Sequence, residues 1–227
     1  MTTPSRASSI TTDENSIKSQ LLAEYIQTLP LYEQLVDIAR TEIEYNLLPI
    51  KAKQKPWERI EISSRVKSFE SAFDKLKRSK EANILEPGIT FNELNDMAAI
   101  KIKVFPNDYL KPIQKLVEKL YSGAIPDHSP DRQPGVREKE YYGQVTRLKY
   151  IIKLHRKYNI DKKLEIQIVP YLLDAFLEIE HDIIYKPNAG IPKVVPSLLE
   201  EHNPAIIDNL KSWPSRFSEY MKVYGKL

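Results

Sequence analysis

The sequence predicts an α+β domain, with a mixed, mostly antiparallel β-sheet, helices packed on one face, a basic polar platform on the other, and flanking N- and C-terminal helices. Three observations carry this. Segments around Ile60 and Ile62, from Ala98 to Val104, from Leu148 to Leu154 and from Leu164 to Ile168 alternate apolar and polar residues at the period of a strand. Around them, apolar residues recur three and four apart, the period of a helix. The polar positions of the last three strands also share a character: Lys101 and Lys103, then Arg147, Lys149 and Lys153, then Glu165 and Gln167.

Residues 1–15, rich in Ser, Thr and Asp, read as a disordered tail. Residues 16–58 read as N-terminal helices. One runs from Ser16 to Thr28 and breaks at Leu29-Pro30; a longer one runs from Leu31 to Asn46, with Leu35, Ile38, Ile43 and Leu47 inward. The core then spans residues 59–186. Its first strand leaves Arg59 and passes Arg65 and Lys67 to Ser68, a fitting N-cap for a helix from Phe69 to Arg78. Two residues apart in extended chain, Arg65 and Lys67 project to one side and suit a single anionic group. Asp96 stands at the mouth of the strand that ends at Phe105, where a carboxylate serves as a metal ligand or as a turn residue.

A helix from Tyr109 to Tyr121 follows, burying Leu110, Ile113, Val117 and Leu120. Ser122 to Glu140 reads as a loop, long enough to be functional. Tyr141-Tyr142-Gly143-Gln144 leads into a strand from Arg147 to His155, and Asn159 to Lys162 turns the chain into Leu164-Glu165-Ile166-Gln167-Ile168. Pro170 then opens a helix to Lys186 with an apolar stripe on one side and Asp174, Glu178, His181 and Asp182 on the other. Residues 187–227 read as C-terminal helices, from Pro196 to Glu201 and from Pro204 to Tyr224.

A chain of 227 residues fits one domain with appendages. No apolar run approaches the roughly 20 residues that cross a bilayer, and the first residues lack the apolar stretch of a secretory signal. The absence of cysteine excludes disulfides and thiolate metal sites. These features point to a cytoplasmic protein without a membrane partner. The net charge of +3 is too small to argue for nucleic acid by itself. Its local clusters say more: Lys75, Lys77, Arg78 and Lys80, and Arg147 to Lys157, suit a polyphosphate or a phosphate backbone, or else a solvated face. A sheet face carrying such cations and one carboxylate is a poor core and a good seat for a polyphosphate with a magnesium ion, although a face that simply meets water has the same pattern.

Specific motifs sit on this frame. Ser64-Arg65-Val66-Lys67-Ser68-Phe69-Glu70-Ser71 is similar to the ATP-binding segment of the RelA/SpoT alarmone synthetases, with Lys75, Lys77 and Arg78 following. Asn95-Asp96-Met97-Ala98-Ala99-Ile100-Lys101-Ile102 is similar to their metal-binding segment, with Lys101 where an arginine is usual. Glu165-Ile166-Gln167-Ile168, with the helix ending Glu178-Ile179-Glu180-His181-Asp182 and Tyr185-Lys186, resembles their second carboxylate motif. Three motifs in the right order identify the chain as resembling this nucleotidyl pyrophosphotransferase family, in its small single-domain form and including its toxin-like members.

The resemblance implies an enzyme that moves the β,γ-pyrophosphate of ATP to the 3′-hydroxyl of GDP or GTP, releasing AMP and making (p)ppGpp. It implies Asp96 and Glu165 as catalytic residues and as ligands of Mg2+, Glu165 also helping to activate the acceptor hydroxyl. Arg65, Lys67, Lys75, Lys77 and Arg78 bind ATP in this reading. Tyr142, Tyr141, Lys139, Arg147, Lys149 and Gln167 bind the acceptor. His181 and Asp182 are structural; a hydrolase site there is disfavoured because only four histidines occur.

The acceptor loop departs from the family pattern. Gly143 is followed by Gln144 instead of the usual tyrosine, Leu148 stands at the histidine position, and Val169 replaces an arginine. This keeps two alternatives in view. One is a toxin-type enzyme that pyrophosphorylates the 3′ CCA end of tRNA; the other is a silent nucleotide- or partner-binding module. An antitoxin partner and a homo-oligomer also stay open.

Overall fold

The computed structural model describes residues 6–80, 85–122, 136–141, 144–153, 160, 162–185 and separate positions between 205 and 223. For residues 6–13, 136–153 and 179–185 it is the backbone alone that is described.

A single helix, α1 (Arg6–Lys51), opens the chain. The strand β1 (Arg59–Val66) leads to α2 (Phe69–Arg78), a 3-10 turn at Phe91–Glu93, β2 (Ala98–Phe105) and α3 (Leu110–Leu120). The strands β3 (Val136–Tyr141), β4 (Gln144–Lys153) and β5 (Lys163–Pro170) follow, and α4 (Tyr171–Tyr185) leaves β5 without a loop. The five strands form one sheet in the order β1-β2-β5-β4-β3. The pair β2 and β5 is parallel; the other three pairings are antiparallel. The α+β class and the mixed, mostly antiparallel sheet are therefore as the sequence predicts.

Alternation places the core. Ile100, Ile102 and Val104 of β2 and Leu164, Ile166 and Ile168 of β5 are buried under Leu21, Leu35, Ala39, Ile43 and Leu47 of α1 and Ile113 and Val117 of α3. Each such aliphatic side chain contributes about 1.5–3 kcal/mol on leaving water. The turn before the 3-10 element needs its glycine: Ile89 N–H donates to Glu86 C=O, and Gly88 sits at φ +85°, a conformation only glycine adopts without strain.

Four features differ from the sequence reading. The helix α1 begins at Arg6, inside the stretch read as a tail, and runs unbroken through Leu29-Pro30. Its start is tied down by buried Ile17 and by ion pairs from Lys77 to Glu14 and from Lys18 to Glu70. Pro30 is exposed, so the carbonyl its missing N–H leaves without a helical partner lies on the solvent side, while Tyr32 and Leu35 hold the next turn in the core.

The stretch read as loop up to Glu140 ends instead in β3, which pairs with β4, and β4 begins at Gln144, three residues earlier than the periodicity suggests. A register shift after Lys139 explains the irregular pattern there, because Thr146 is bulged out of the pairing. The fourth difference concerns the polar face of the sheet. The helix α4 lies over its β2 and β5 portion, with Ala99 and Val169 buried, so the platform is partly roofed. At the C-terminus the described positions between 205 and 223 are helical, and Trp213 packs its ring 6.2 Å from that of Phe105. The helix expected at 196–201 lies outside the described residues.

Candidate active site

Asp96 is the centre of the site. It lies just before β2, beside the point where β1 passes into α2. Lys67 continues the β1–β2 pairing by donating its N–H to Met97 C=O at 2.8 Å. Ser68 then caps α2, its hydroxyl accepting from Ser71 N–H, and the helix turns Lys75 back toward the same carboxylate. The Nζ of Lys75 stands 2.6 Å from Asp96 Oδ2, and that of Lys67 stands 3.3 Å from it. Burial pushes the Asp96 carboxyl up, but the Lys75 hydrogen bond and the two ammonium charges outweigh it and hold it below the usual aspartate range. Lys67 moves the other way. Desolvation lowers it below an ordinary lysine in spite of Asp96, with Arg65 and Lys75 adding repulsion.

The donor residues named from sequence thus divide. Lys67 and Lys75 converge on Asp96, and Arg65, exposed at the end of β1, is close enough to act on Lys67. Lys77 points to the other side of α2, where it pairs with Glu14 at 2.5 Å. Arg78 is exposed and donates to the Asp74 C=O of its own helix.

Glu165 joins the same face through the sheet register. Arg65 pairs with Ala99, and Ala99 pairs with Glu165. Two strand spacings separate Arg65 from Glu165, about 10 Å between Cα atoms. Glu165 is 1% exposed, and its Oε1 accepts a hydrogen bond from Gln167 Nε2 two residues along the strand. Gln167 therefore orients the carboxylate, besides any acceptor role.

The acceptor residues fall on neighbouring strands. Lys149 of β4 pairs with Gln167 and with Arg137 of β3, while Lys139 pairs with Arg147. Tyr141 ends β3, opposite Gln144. Tyr142 lies outside the described residues, as do the side chains of Tyr141, Lys139, Arg147 and Lys149. Extended through β2, the row reads Arg137, Lys149, Gln167, Lys101, Ser63.

One part of the site escaped the sequence reading. Lys101 does not stand free for a ligand: Glu178 Oε1 and Asp174 Oδ1 of α4 approach its Nζ at 2.6 and 3.1 Å. Lys103 pairs with Glu61 at 3.4 Å and lies over the Tyr171 ring. Although burial alone pulls Lys103 down, Glu61, Asp174 and Glu178 hold it above the usual lysine range. The signal was present as two acids four apart on the polar face of the helix that follows β5. The side chains of His181 and Asp182 lie outside the described residues.

Asp96 Oδ1 is buried without a hydrogen-bond partner, and its carboxyl is held ionised. Among the described residues no group of three or more His, Cys, Asp or Glu side chains converges. Two carboxylates without a third suit a hard cation that takes its remaining ligands from water and phosphate oxygens. Asp96 and Glu165 are donors of that chemical type.

Residues 64–190 match the sequence pattern described as the region found in RelA / SpoT proteins, which is more than half of the chain. The chain belongs to the RelA/SpoT family. Membership identifies an enzyme of the pyrophosphotransferase type. The fold of this RelA/SpoT chain is similar to the small alarmone synthetase 1 from Bacillus subtilis, at 19% identity and a TM-score of 0.63, covering 88% of this chain and 98% of that one. The same synthetase bound to its product pppGpp aligns over 89% and 99% at 17% identity and a TM-score of 0.60, and its complex with AMPCPP at 0.56. A GTP pyrophosphokinase family protein from Streptococcus pneumoniae aligns over 87% and 94%, at 21% identity and a TM-score of 0.55. No curated protein matches. No helix among the described residues is long and apolar enough to cross a membrane.

Proposed function

We propose that this RelA/SpoT chain is a cytoplasmic pyrophosphokinase that transfers the β,γ-pyrophosphate of ATP to the 3′-hydroxyl of GDP or GTP. One observation carries the donor half: Lys67 and Lys75 meet at a buried, ionised Asp96 whose second oxygen has no hydrogen-bond partner. Two cations beside one carboxylate form a seat for a polyphosphate and its counter-ion. Asp96 and Glu165 would hold a magnesium ion, which would supply Lewis-acid neutralisation of the phosphates.

The residues of the chain account for the rest. Lys67, Lys75 and Arg65 bind and orient the triphosphate. Glu165, aligned by Gln167, takes the proton of the acceptor hydroxyl as its oxygen bonds to the β-phosphorus. The bond from that phosphorus to the α,β-bridging oxygen breaks, and AMP leaves with the electron pair. The likeness to a synthetase solved with pppGpp and with AMPCPP supports this choice of nucleotides.

A second reading rests on the acceptor loop. Gln144 and Leu148 take the places of the family's tyrosine and histidine, and Arg137 and Lys149 stand opposite each other in the β3–β4 register. A tRNA 3′ end, which brings its own backbone charge and needs less guanine-specific stacking, would suit such a surface.

Transfer of label from γ-phosphate-labelled ATP, with magnesium, to GDP, GTP or bulk tRNA offered separately tests both. Label on the guanine nucleotides is expected. Label on tRNA alone selects the second reading, and no transfer to any of them overturns both in favour of another acceptor or a binding module.

A further inference from the structure

Two consecutive residues of α1 reach both halves of the donor site. Lys67 is one residue past the last β1–β2 partner, Val66, where a single further backbone bond extends the ladder. Its peptide is clamped from two sides: its N–H donates to Met97 C=O at 2.8 Å, and its C=O accepts from the Tyr25 hydroxyl at 3.1 Å. The preceding helix residue, Glu24, accepts the Phe91 N–H at 3.2 Å, at the start of the 3-10 turn five residues before Asp96. The Tyr25 ring meets Phe69 of α2 and Phe91 edge-on at 5.7 and 6.2 Å, and these two meet each other at 6.1 Å. One small aromatic cluster thus joins α1, α2 and the Asp96 segment.

We propose that Tyr25 and Glu24 are positioning residues of the donor site, holding the Lys67 and Asp96 segments at the separation that lets both bind one triphosphate. The inference rests on the donor reading above. Neither side chain touches the phosphates; both act through the backbone that carries Lys67 and Asp96. Attachment of α1 to the sheet does not need them, because Leu21, Leu35, Ala39, Ile43 and Leu47 bury fully without their polar groups. The Tyr25 hydroxyl and the Glu24 carboxylate are therefore polar additions aimed at two segments just beyond the last β1–β2 pair.

Removing one such hydrogen bond at constant shape corresponds to a change of roughly fivefold to tenfold in an affinity that depends on it. The Tyr25→Phe substitution keeps the three-ring cluster and loses the hydroxyl. Its affinity for a non-hydrolysable ATP analogue is expected to fall by that factor, with the KM for ATP rising alike, the KM for the acceptor unchanged and the unfolding midpoint retained. The Glu24→Leu substitution is expected to weaken the analogue similarly, and Glu24→Gln, which keeps an acceptor for the Phe91 N–H, to restore it. Analogue affinity in Tyr25→Phe within twofold of wild type, or equal losses in Glu24→Leu and Glu24→Gln, overturns the proposal. A wild-type chain that does not bind the analogue overturns the donor reading itself, and this inference with it.

Discussion

The Lys75 ammonium lies 2.6 Å from Asp96 Oδ2, across the gap between α2 and the mouth of β2. With Lys67 at 3.3 Å on the same oxygen, the carboxylate offsets part of the repulsion between two cations. The Asp96→Asn substitution keeps the shape and removes the charge. Pyrophosphate transfer is expected to drop to background at every magnesium concentration, and stability to fall by about 1–3 kcal/mol because Lys67 loses its counter-charge in a buried place. Denaturant unfolding and a magnesium titration of turnover check both; residual activity rescued by more magnesium would mean that Asp96 merely tunes metal affinity.

Glu165 presents a different case, since its neighbours on the sheet are already packed. Glu165→Gln is expected to lower kcat by about 10²–10⁴. Unchanged turnover would remove Glu165 from the chemistry.

Asp174 has a side chain that is fully buried, paired with a Lys101 side chain 24% exposed. Breaking such a pair from one side leaves an uncompensated charge, whereas replacing both ends removes the problem. Lys101→Met is expected to destabilise the fold by about 3 kcal/mol, and the double substitution Lys101→Met with Asp174→Leu to recover most of it. Additive losses in the double-variant cycle would show that the pair is not coupled.

Glu24 carries a pH signature. Burial raises its carboxyl above the ordinary 4.5, against the Phe91 N–H and Lys162, which lower it. Between the ordinary and the raised value the folded chain holds more proton than the unfolded one, so this group makes stability fall as pH rises through that window and leaves it level above. Glu24→Gln is expected to abolish that slope. Unfolding free energies of both proteins measured from acid to neutral pH check it, and parallel curves would contradict the assignment.

Pro30 tests the continuity of α1. If the helix runs through it, Pro30→Ala adds a backbone hydrogen bond to Ile26 C=O and removes the ring's clash, and the protein is expected to gain up to about 3 kcal/mol. A neutral or destabilising result in thermal unfolding would restore the break that the sequence suggests.

What could be read from residues alone follows local rules. Ile100, Ile102 and Val104 announced their strand because a half-buried strand must alternate, and Ser68 announced α2 because a helix start needs an acceptor for its free N–H groups. Asp96, Lys67 and Lys75 were found as candidates through motif and spacing. Lys77 could not be separated from Lys75 in that way, since two residues of helix turn one to Asp96 and the other to Glu14.

The sequence by itself determined the element types, the mixed sheet's aliphatic face and the set of cations and carboxylates from which a site is drawn, because these depend on periods of two and 3.6 residues. Tertiary structure alone decided which of them meet. Contacts with the sheet and α2 carry α1 through Pro30, α4 over the polar face occupies Lys101, and the order β1-β2-β5 sets Glu165 beside Ala99. These outcomes depend on which distant segments share buried surface, a free energy that belongs to pairs of elements and leaves little trace in either one.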